Sequence, residues 1–367
     1  MDEVQRLKNR LAIKLYRDRL KRNGLWHALA HGHVDIAEYL LRNGADANSK
    51  VIDGRTILYS VCHLEQDIAR KAIQLLIDHG ARIDPDYRSP DGGSYLIGFA
   101  KAGLAQNVAK LLDLGSDPDW VDDLGNCALA YACMRENTEI AGMLAPKTIM
   151  PHRNKDRLTP LMLAAEKCMD GVMGELLRTT SVDFTDLQGN TALFYAIRGR
   201  SLAAVALLLK NGADPNIVNK RNETPLYIAC YHEWEEAAMM LLSFGAKTDT
   251  WVPTPPYLPT PLQLAIRNAR LLQAMLDHGT KLSEVAQYFI WKWPLLPEAI
   301  MSGSLESAEI LIKRGADINE TFAEPGRPGQ TVLWHMLQMK KAANPLDNLN
   351  GRTYDEIIDF IRNNGGS

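Results

Sequence analysis

The stretch from Asp186 to Asn216, DLQGNTALFYAIRGRSLAAVALLLKNGADPN, sets short apolar runs between polar turns. Gly189 marks the tip of a turn. From Thr191 onward, Ala192, Leu193, Ala196 and Ile197 fall on one face of a short helix. Leu202, Val205, Leu207, Leu208 and Leu209 recur at helical spacing and predict a second helix. Gly212 stops it, because the residue after a helix end often takes the left-handed conformation that glycine adopts without strain. Such a unit has an apolar face on each side and cannot bury both alone. Stacked copies of itself are the expected answer.

Copies occur along nearly the whole chain. Counted by the residue that starts the first helix, they begin at Asn23, Thr56, Ser94, Cys127, Thr159, Thr191, Thr224, Thr260, Pro294 and Thr331. The spacings are 33, 38, 33, 32, 32, 33, 36, 34 and 37 residues. The runs TPLMLAAEKC, TALFYAIRGR, TPLYIAC and TPLQLAIRNA share one register, and Gly44, Gly80, Gly115, Gly212, Gly245, Gly279 and Gly315 close the second helices. This pattern resembles the ankyrin repeat family, whose signature runs G-x-T-P-L-H-x-A-A-x-x-G-H and then L-L-x-x-G-A-D. The resemblance implies an all-α solenoid of about ten helix-turn-helix repeats with finger-like hairpin loops between them.

The expected organisation is an N-terminal capping helix over residues 1–22, a repeat array over 23–345, and a C-terminal capping helix with a frayed tail over 346–367. The first of these carries an apolar stripe of Val4, Leu7, Leu11, Leu15 and Leu20 and a basic opposite face. Its main reading is a cap with a solvated face; a membrane-surface helix or a helix for an acidic partner is the alternative. Three extra residues between Thr56 and Gly80 are expected to lengthen the turn between helices near Glu65. Residues 81–93 are expected to form an enlarged finger. Thr148 and Thr180 stand where glycine belongs, and a change of stacking angle is expected around residues 145–155. Later, WVPTPPYLP is too proline-rich for a helix, SEVAQYFIWKW predicts a short extra helix, and EPGRPG a turn-rich loop.

Composition changes this picture little. The net charge of −3 gives no bulk attraction to nucleic acid or to a membrane. No apolar run reaches membrane-spanning length, and the N-terminus lacks the apolar core of a signal peptide. The five cysteines, Cys62, Cys127, Cys133, Cys168 and Cys230, form no C-x-x-C and read as small buried thiols of a reducing, cytoplasmic compartment, with delivery into a host cell left open. His31 and His33 flank a turn glycine and read as turn residues rather than metal ligands.

No nucleotide-binding loop, nucleophile elbow or zinc motif is present, so neither a catalytic residue, a cofactor nor a metal is expected. The roughly 22 residues before Asn23 and 28 after Met339 are too few for a fused catalytic domain. The resemblance instead implies a non-catalytic binding surface on the concave side, built from finger tips and exposed first-helix positions. Mapped by register, the candidate partner-binding residues are Tyr131, Arg135, Lys155, Tyr195, Arg198, Lys220, Arg221, Tyr231, His232, Tyr257, Arg267, Trp291 and Trp293. Met134 and Asp156 share these positions, and the first repeats add only Arg55, His63 and Lys101. Tyr, Trp and Arg dominate binding energy at protein interfaces, and the cations among them point to a partner protein with an acidic patch. The competing reading makes Tyr131 and Tyr195 half-buried helix residues and packs Trp291 and Trp293 beneath a finger. The expected function is an intracellular scaffold, adaptor or inhibitor, acting as a monomer. An immunity protein that neutralises one toxin or enzyme, a secreted effector that recruits a host protein, and nucleic-acid binding through the basic fingers 152–157 and 219–221 are the alternatives.

Overall fold

In the computed structural model, the residues described are 24–150, 152–248, 260–280, 295–321, 329–342 and 349–367. The N-terminal segment, WVPTPPYLP, SEVAQYFIWKW and most of the EPGRPG loop lie outside them, as do Tyr257, Trp291 and Trp293. Among the described residues the protein is all helical, with isolated β-bridges only.

Helices come in pairs. They are Gly24–Ala30 (α1) with Val34–Arg42 (α2), Ile57–Val61 (α3) with Gln66–Asp78 (α4), and Tyr95–Ala102 (α5) with Ala105–Asp113 (α6). Ala128–Met134 (α7) pairs with Thr138–Leu144 (α8), Pro160–Glu166 (α9) with Asp170–Leu176 (α10), and Ala192–Arg198 (α11) with Leu202–Lys210 (α12). Pro225–Tyr231 (α13) pairs with Glu235–Ser243 (α14), and Pro261–Leu264 (α15), extended by a 3-10 turn Ala265–Arg267, with Ala269–Asp277 (α16). Leu295–Met301 (α17) then pairs with Leu305–Lys313 (α18), and Val332–Ala342 (α19) with Tyr354–Asn363 (α20).

The chain divides into two compact units, residues 1–187 with 199–207 and residues 188–198 with 208–367. Within each unit, first helices pack on first helices and second helices on second. In the first unit this joins α5 to α7 and α7 to α9 in one layer, and α6 to α8 and α8 to α10 in the other. In the second it joins α11 to α13 and α13 to α15, and α14 to α16 and α16 to α18.

The sequence register explains the packing. Two residues after each of the first nine helix starts stands a leucine: Leu25, Leu58, Leu96, Leu129, Leu161, Leu193, Leu226, Leu262 and Leu296, all buried. Five residues after most starts stands a buried alanine, as at Ala132, Ala164, Ala196, Ala229, Ala265 and Ala299. The leucine supplies apolar area on each contact face, about 2 kcal/mol when fully removed from water. The alanine lets neighbouring helix backbones approach. Cys62, Cys127, Cys133 and Cys230 are buried beside these positions, and burial pushes their thiols up, Cys127 to about 11 and Cys230 to about 12. Cys168 is exposed.

Local chemistry sets the helix ends. Thr56, Thr159, Thr224 and Thr260 each accept, through the side-chain oxygen, a hydrogen bond from the backbone N–H three residues on, at 3.1–3.3 Å. Pro160, Pro225 and Pro261 occupy the first helical position, where a missing N–H costs nothing. At the other end Gly212 has φ +85°, and the N–H of Ala213 reaches back to the Leu208 carbonyl at 3.1 Å.

One expectation is corrected. The extra residues of the second repeat do not lengthen the inter-helix turn: α4 begins at Gln66 and runs for 13 residues, against 9 in α12. Ala69, Ala72, Ile73 and Leu76 continue the buried face through it, so the added backbone finds its hydrogen bonds inside a helix. Where Thr148 replaces a glycine, its N–H and its hydroxyl both bond the Leu144 carbonyl, at 2.9 and 3.0 Å, and no left-handed residue is needed. The following Ile149 and Met150 are anchored instead by Asp119, whose Oδ1 accepts both backbone N–H groups at 3.1 Å and the His152 ring nitrogen at 2.9 Å.

The fingers between pairs are short hairpins. Asp122 and Asn126 close one through N–H···O=C at 3.1 Å, and the Gly125 N–H bonds the Asp122 carbonyl at 2.8 Å. Neighbouring tips are tied along the first unit, Asp123 N–H to the Asp91 carbonyl at 3.1 Å and Lys155 N–H to that of Leu124 at 2.9 Å. The enlarged finger at 81–93 packs through Tyr87, which stacks on Tyr95 at 4.4 Å and accepts the Thr56 N–H at 3.2 Å.

Two glycines test this account with opposite signs. A Cβ at either Gly212 or Gly142 would meet nothing within 4 Å. Gly212→Ala is expected to destabilise by about 1 kcal/mol, the cost of a left-handed L-residue. Gly142→Ala, inside α8, is expected to stabilise by about 0.5–1 kcal/mol through helix propensity. Denaturant titration of both variants checks this; equal effects would refute the assignment of helix end and helix interior.

Candidate protein-binding surface

In the second unit, the ends of first helices and the adjoining finger carry an aromatic and cationic set. Tyr231 is 56% exposed at the end of α13. Its ring stacks on Tyr227 at 6.1 Å and meets His232 edge-on at 5.4 Å. Tyr227 is buried, so the exposed ring rests on a fixed one. At the end of α11 the exposed Arg198 guanidinium lies 5.1 Å from the Tyr195 ring, and Tyr195 itself is only 7% exposed. Arg267 is exposed in the 3-10 turn that follows α15.

Lys220 and Arg221 project from a finger whose backbone is held from within. The buried Asn219 side-chain Oδ1 accepts the N–H groups of Arg221 and Glu223, both at 2.9 Å, and its Nδ2 donates to Glu223 at 2.8 Å and Asn190 at 2.9 Å. The Lys220 N–H bonds the Gln188 carbonyl at 2.8 Å. Both side chains are exposed and neither forms an ion pair among the described residues.

In the first unit the predicted residues behave differently. Tyr131 is 8% exposed and donates its hydroxyl to Asp122 at 2.6 Å. Burial first, and the adjacent carboxylate second, raise its pKa. Arg135 and Lys155 are exposed. Register alone missed the polar contacts around them: Arg55 pairs with Asp91 at 2.9 Å, Arg88 lies 3.7 Å over the Trp120 ring, and Trp120 donates to the Gly92 carbonyl at 2.6 Å. These partners lie about thirty residues apart, so local spacing carries no sign of them.

Of the ten candidates within the described residues, eight are thus exposed, while Tyr131 and Tyr195 are buried and shape what lies beside them. The basic finger at 152–157 has two of its basic side chains turned inward. His152 bonds Asp119, and Arg153 donates to the Thr185 carbonyl at 3.0 Å while lying 5.0 Å from the Phe184 ring. Lys155 and Arg157 of the same finger stay exposed. Among the described residues no group of three or more His, Cys, Asp or Glu could hold a metal ion, and no helix is long and apolar enough to cross a membrane.

Comparison with known proteins gives one consistent result. The family description "Ankyrin repeats (3 copies)" matches residues 96–184, 150–219, 167–251 and 204–284, and "Ankyrin repeat" matches 23–51. Human neurogenic locus notch homolog protein 1 is 32% identical over 168 residues, 45% of this chain and 6% of that protein. Human neurogenic locus notch homolog protein 2 is 33% identical over 127 residues, 34% of this chain and 5% of that protein. The Xenopus tropicalis notch homolog 1 is 29% identical over 168 residues. The chain therefore matches only a small part of each of these relatives' length.

Beside Arg267, Glu298 of α17 offers a pH test. Its carboxyl sits above the ordinary value of 4.5 because burial disfavours the charge, against the opposing Gln263 hydrogen bond and the Arg267 charge. The folded state thus holds this proton more tightly, and its contribution to stability falls as pH rises through 4.5 and the raised folded value. Glu298→Gln removes the charge. It is expected to melt higher than the parent at pH near 7, with the gap closing toward acid pH; a gap that does not change with pH would contradict the buried charge.

Proposed function

The chain belongs to the ankyrin repeat family, and from that premise we propose that it is a non-catalytic module that binds an acidic surface of a partner protein. Repeats of this family serve as protein-protein interaction modules, which supports the general class. The binding surface is assigned to the finger tips and first-helix ends, with Lys220, Arg221, Tyr231, His232, Arg198 and Arg267 as its exposed members in the second unit. The observation that carries this reading is the exposed Tyr231 ring on a buried Tyr227, together with a finger whose backbone N–H groups from Asn219 to Glu223 are all hydrogen-bonded. Aromatic anchors and cations presented on rigid backbone lose little freedom on binding, so more of their contact energy appears as affinity. Such a module can act as a scaffold, an adaptor or an inhibitor, and the surface chemistry is the same for all three.

Affinity capture from the native source tests the assignment. The protein as it stands is compared with a Lys220→Glu, Arg221→Glu, Tyr231→Ala variant, after circular dichroism shows both to be folded. Tyr195 is left intact because it is buried and its loss would disturb α11. One stoichiometric protein captured by the parent and weakened at least about tenfold by the variant is expected, since two charges and an aromatic anchor are removed. Full retention by the variant would overturn the assignment, and no captured protein would overturn the binding reading.

A further inference from the structure

A second feature, in the first unit, concerns Lys101. It ends α5, is half-buried, and its Nζ lies 4.9 Å from the centre of the Tyr131 ring. An ammonium carries three donors and no acceptor. No described residue accepts a hydrogen bond from this one or forms an ion pair with it. The reason is visible in its neighbours. Asp122 is the main source of compensating charge, yet its Oδ1 is taken by the N–H groups of Leu124 and Asn126 at 2.9 and 3.0 Å, and its Oδ2 by the Tyr131 hydroxyl at 2.6 Å. Asp91, the other nearby anion, accepts from Ser89 at 2.5 Å and from Arg55 at 2.9 Å.

A second cation caps the helix that carries Tyr131. Arg135 follows Tyr131 by four residues, so the two share a helical face at the end of α7. Its guanidinium is exposed and forms no ion pair among the described residues. Burial, which leads, and the repulsion of Arg135 lower the Lys101 pKa, while Asp122 and Asp91 pull the other way. The protein thus holds a partly desolvated ammonium against an aromatic face, with the Arg135 guanidinium four residues beyond that ring and its own carboxylates committed elsewhere.

We infer that Lys101 and Arg135 form a receptor for one carboxylate of a protein partner, an Asp or Glu side chain, with the Tyr131 ring as its wall. The inference rests on the reading of the chain as a protein-binding module and adds a subsite to it. An entering carboxylate supplies the acceptors that Lys101 lacks and pairs with the fork of Arg135. Tyr131 does not contact the carboxylate through its hydroxyl, which stays on Asp122; it keeps Asp122 from capturing the ammonium.

The probe is a fluorescein-labelled peptide of alternating Glu and Ser, with a Gln-for-Glu counterpart, titrated into the full chain at low ionic strength. The Glu peptide is expected to bind and the Gln peptide not. Lys101→Met and Arg135→Met should each weaken binding about tenfold, as removal of one charge-assisted hydrogen bond does. Lys110→Met, on the second helix of the same repeat, should leave it unchanged. Site-resolved acetylation by an N-hydroxysuccinimide ester gives an independent readout: the Glu peptide should protect Lys101 and leave Lys110 untouched. Peptide binding that survives Lys101→Met and is lost with Lys220→Glu and Arg221→Glu would overturn the subsite and leave the acidic-partner reading standing. No binding of the Glu peptide to the parent would overturn both.

Discussion

Every helix pair in this protein has two apolar faces and can bury them only against the pairs before and after it. That constraint fixes the rest. It favours a leucine near the start of each first helix and, in most repeats, a small residue three positions later, and the chain carries the leucine from Leu25 to Leu296. It demands that each second helix stop in time for the chain to return, which glycines with positive φ accomplish at most of them and Thr148, bonded to the Leu144 carbonyl, at one. It also leaves a set of positions with no part in packing: the finger tips and the outward ends of the first helices. Those positions hold Lys220, Arg221, Tyr231 and Arg135.

The two units use these free positions differently. In the first, charges are largely spent on one another. Asp122 serves Tyr131 and two backbone groups, Asp91 serves Arg55 and Ser89, and Asp119 holds the chain at Ile149 and Met150. Such contacts stiffen the fingers and leave isolated cations, Lys101 above all, without acceptors. In the second unit the finger's internal hydrogen bonds come from Asn219, a neutral group, and the cations at its tip stay available. Rigid fingers matter to binding because order established on folding is not lost again on association.

The repeat architecture was legible because it rests on short-range spacing: the Thr-Pro-Leu start, the leucine and alanine register and the closing glycine each lie within a few residues. The longer α4 was misread because a helix and a turn can absorb the same three residues; only the continued burial of Ala69, Ala72, Ile73 and Leu76 decides between them. Register also named Tyr131 and Tyr195 with the exposed candidates, although both rings are buried. Their position in the repeat says which way the Cβ points; whether neighbours cover the ring depends on residues such as Lys101, thirty positions away. The Asp119 anchor had no local signal at all, since Asp119 and His152 belong to successive repeats.

The central claim is that fingers and first-helix ends, rather than the second helices, meet the partner. Hydroxyl-radical footprinting of the captured complex measures it directly. The account predicts protection of Tyr231 and His232 relative to the free chain, with Phe244 at the end of α14 and Leu114 at the end of α6 reacting as before. Protection of Phe244 and Leu114, with Tyr231 and His232 unchanged, would place the partner on the second helices and contradict it.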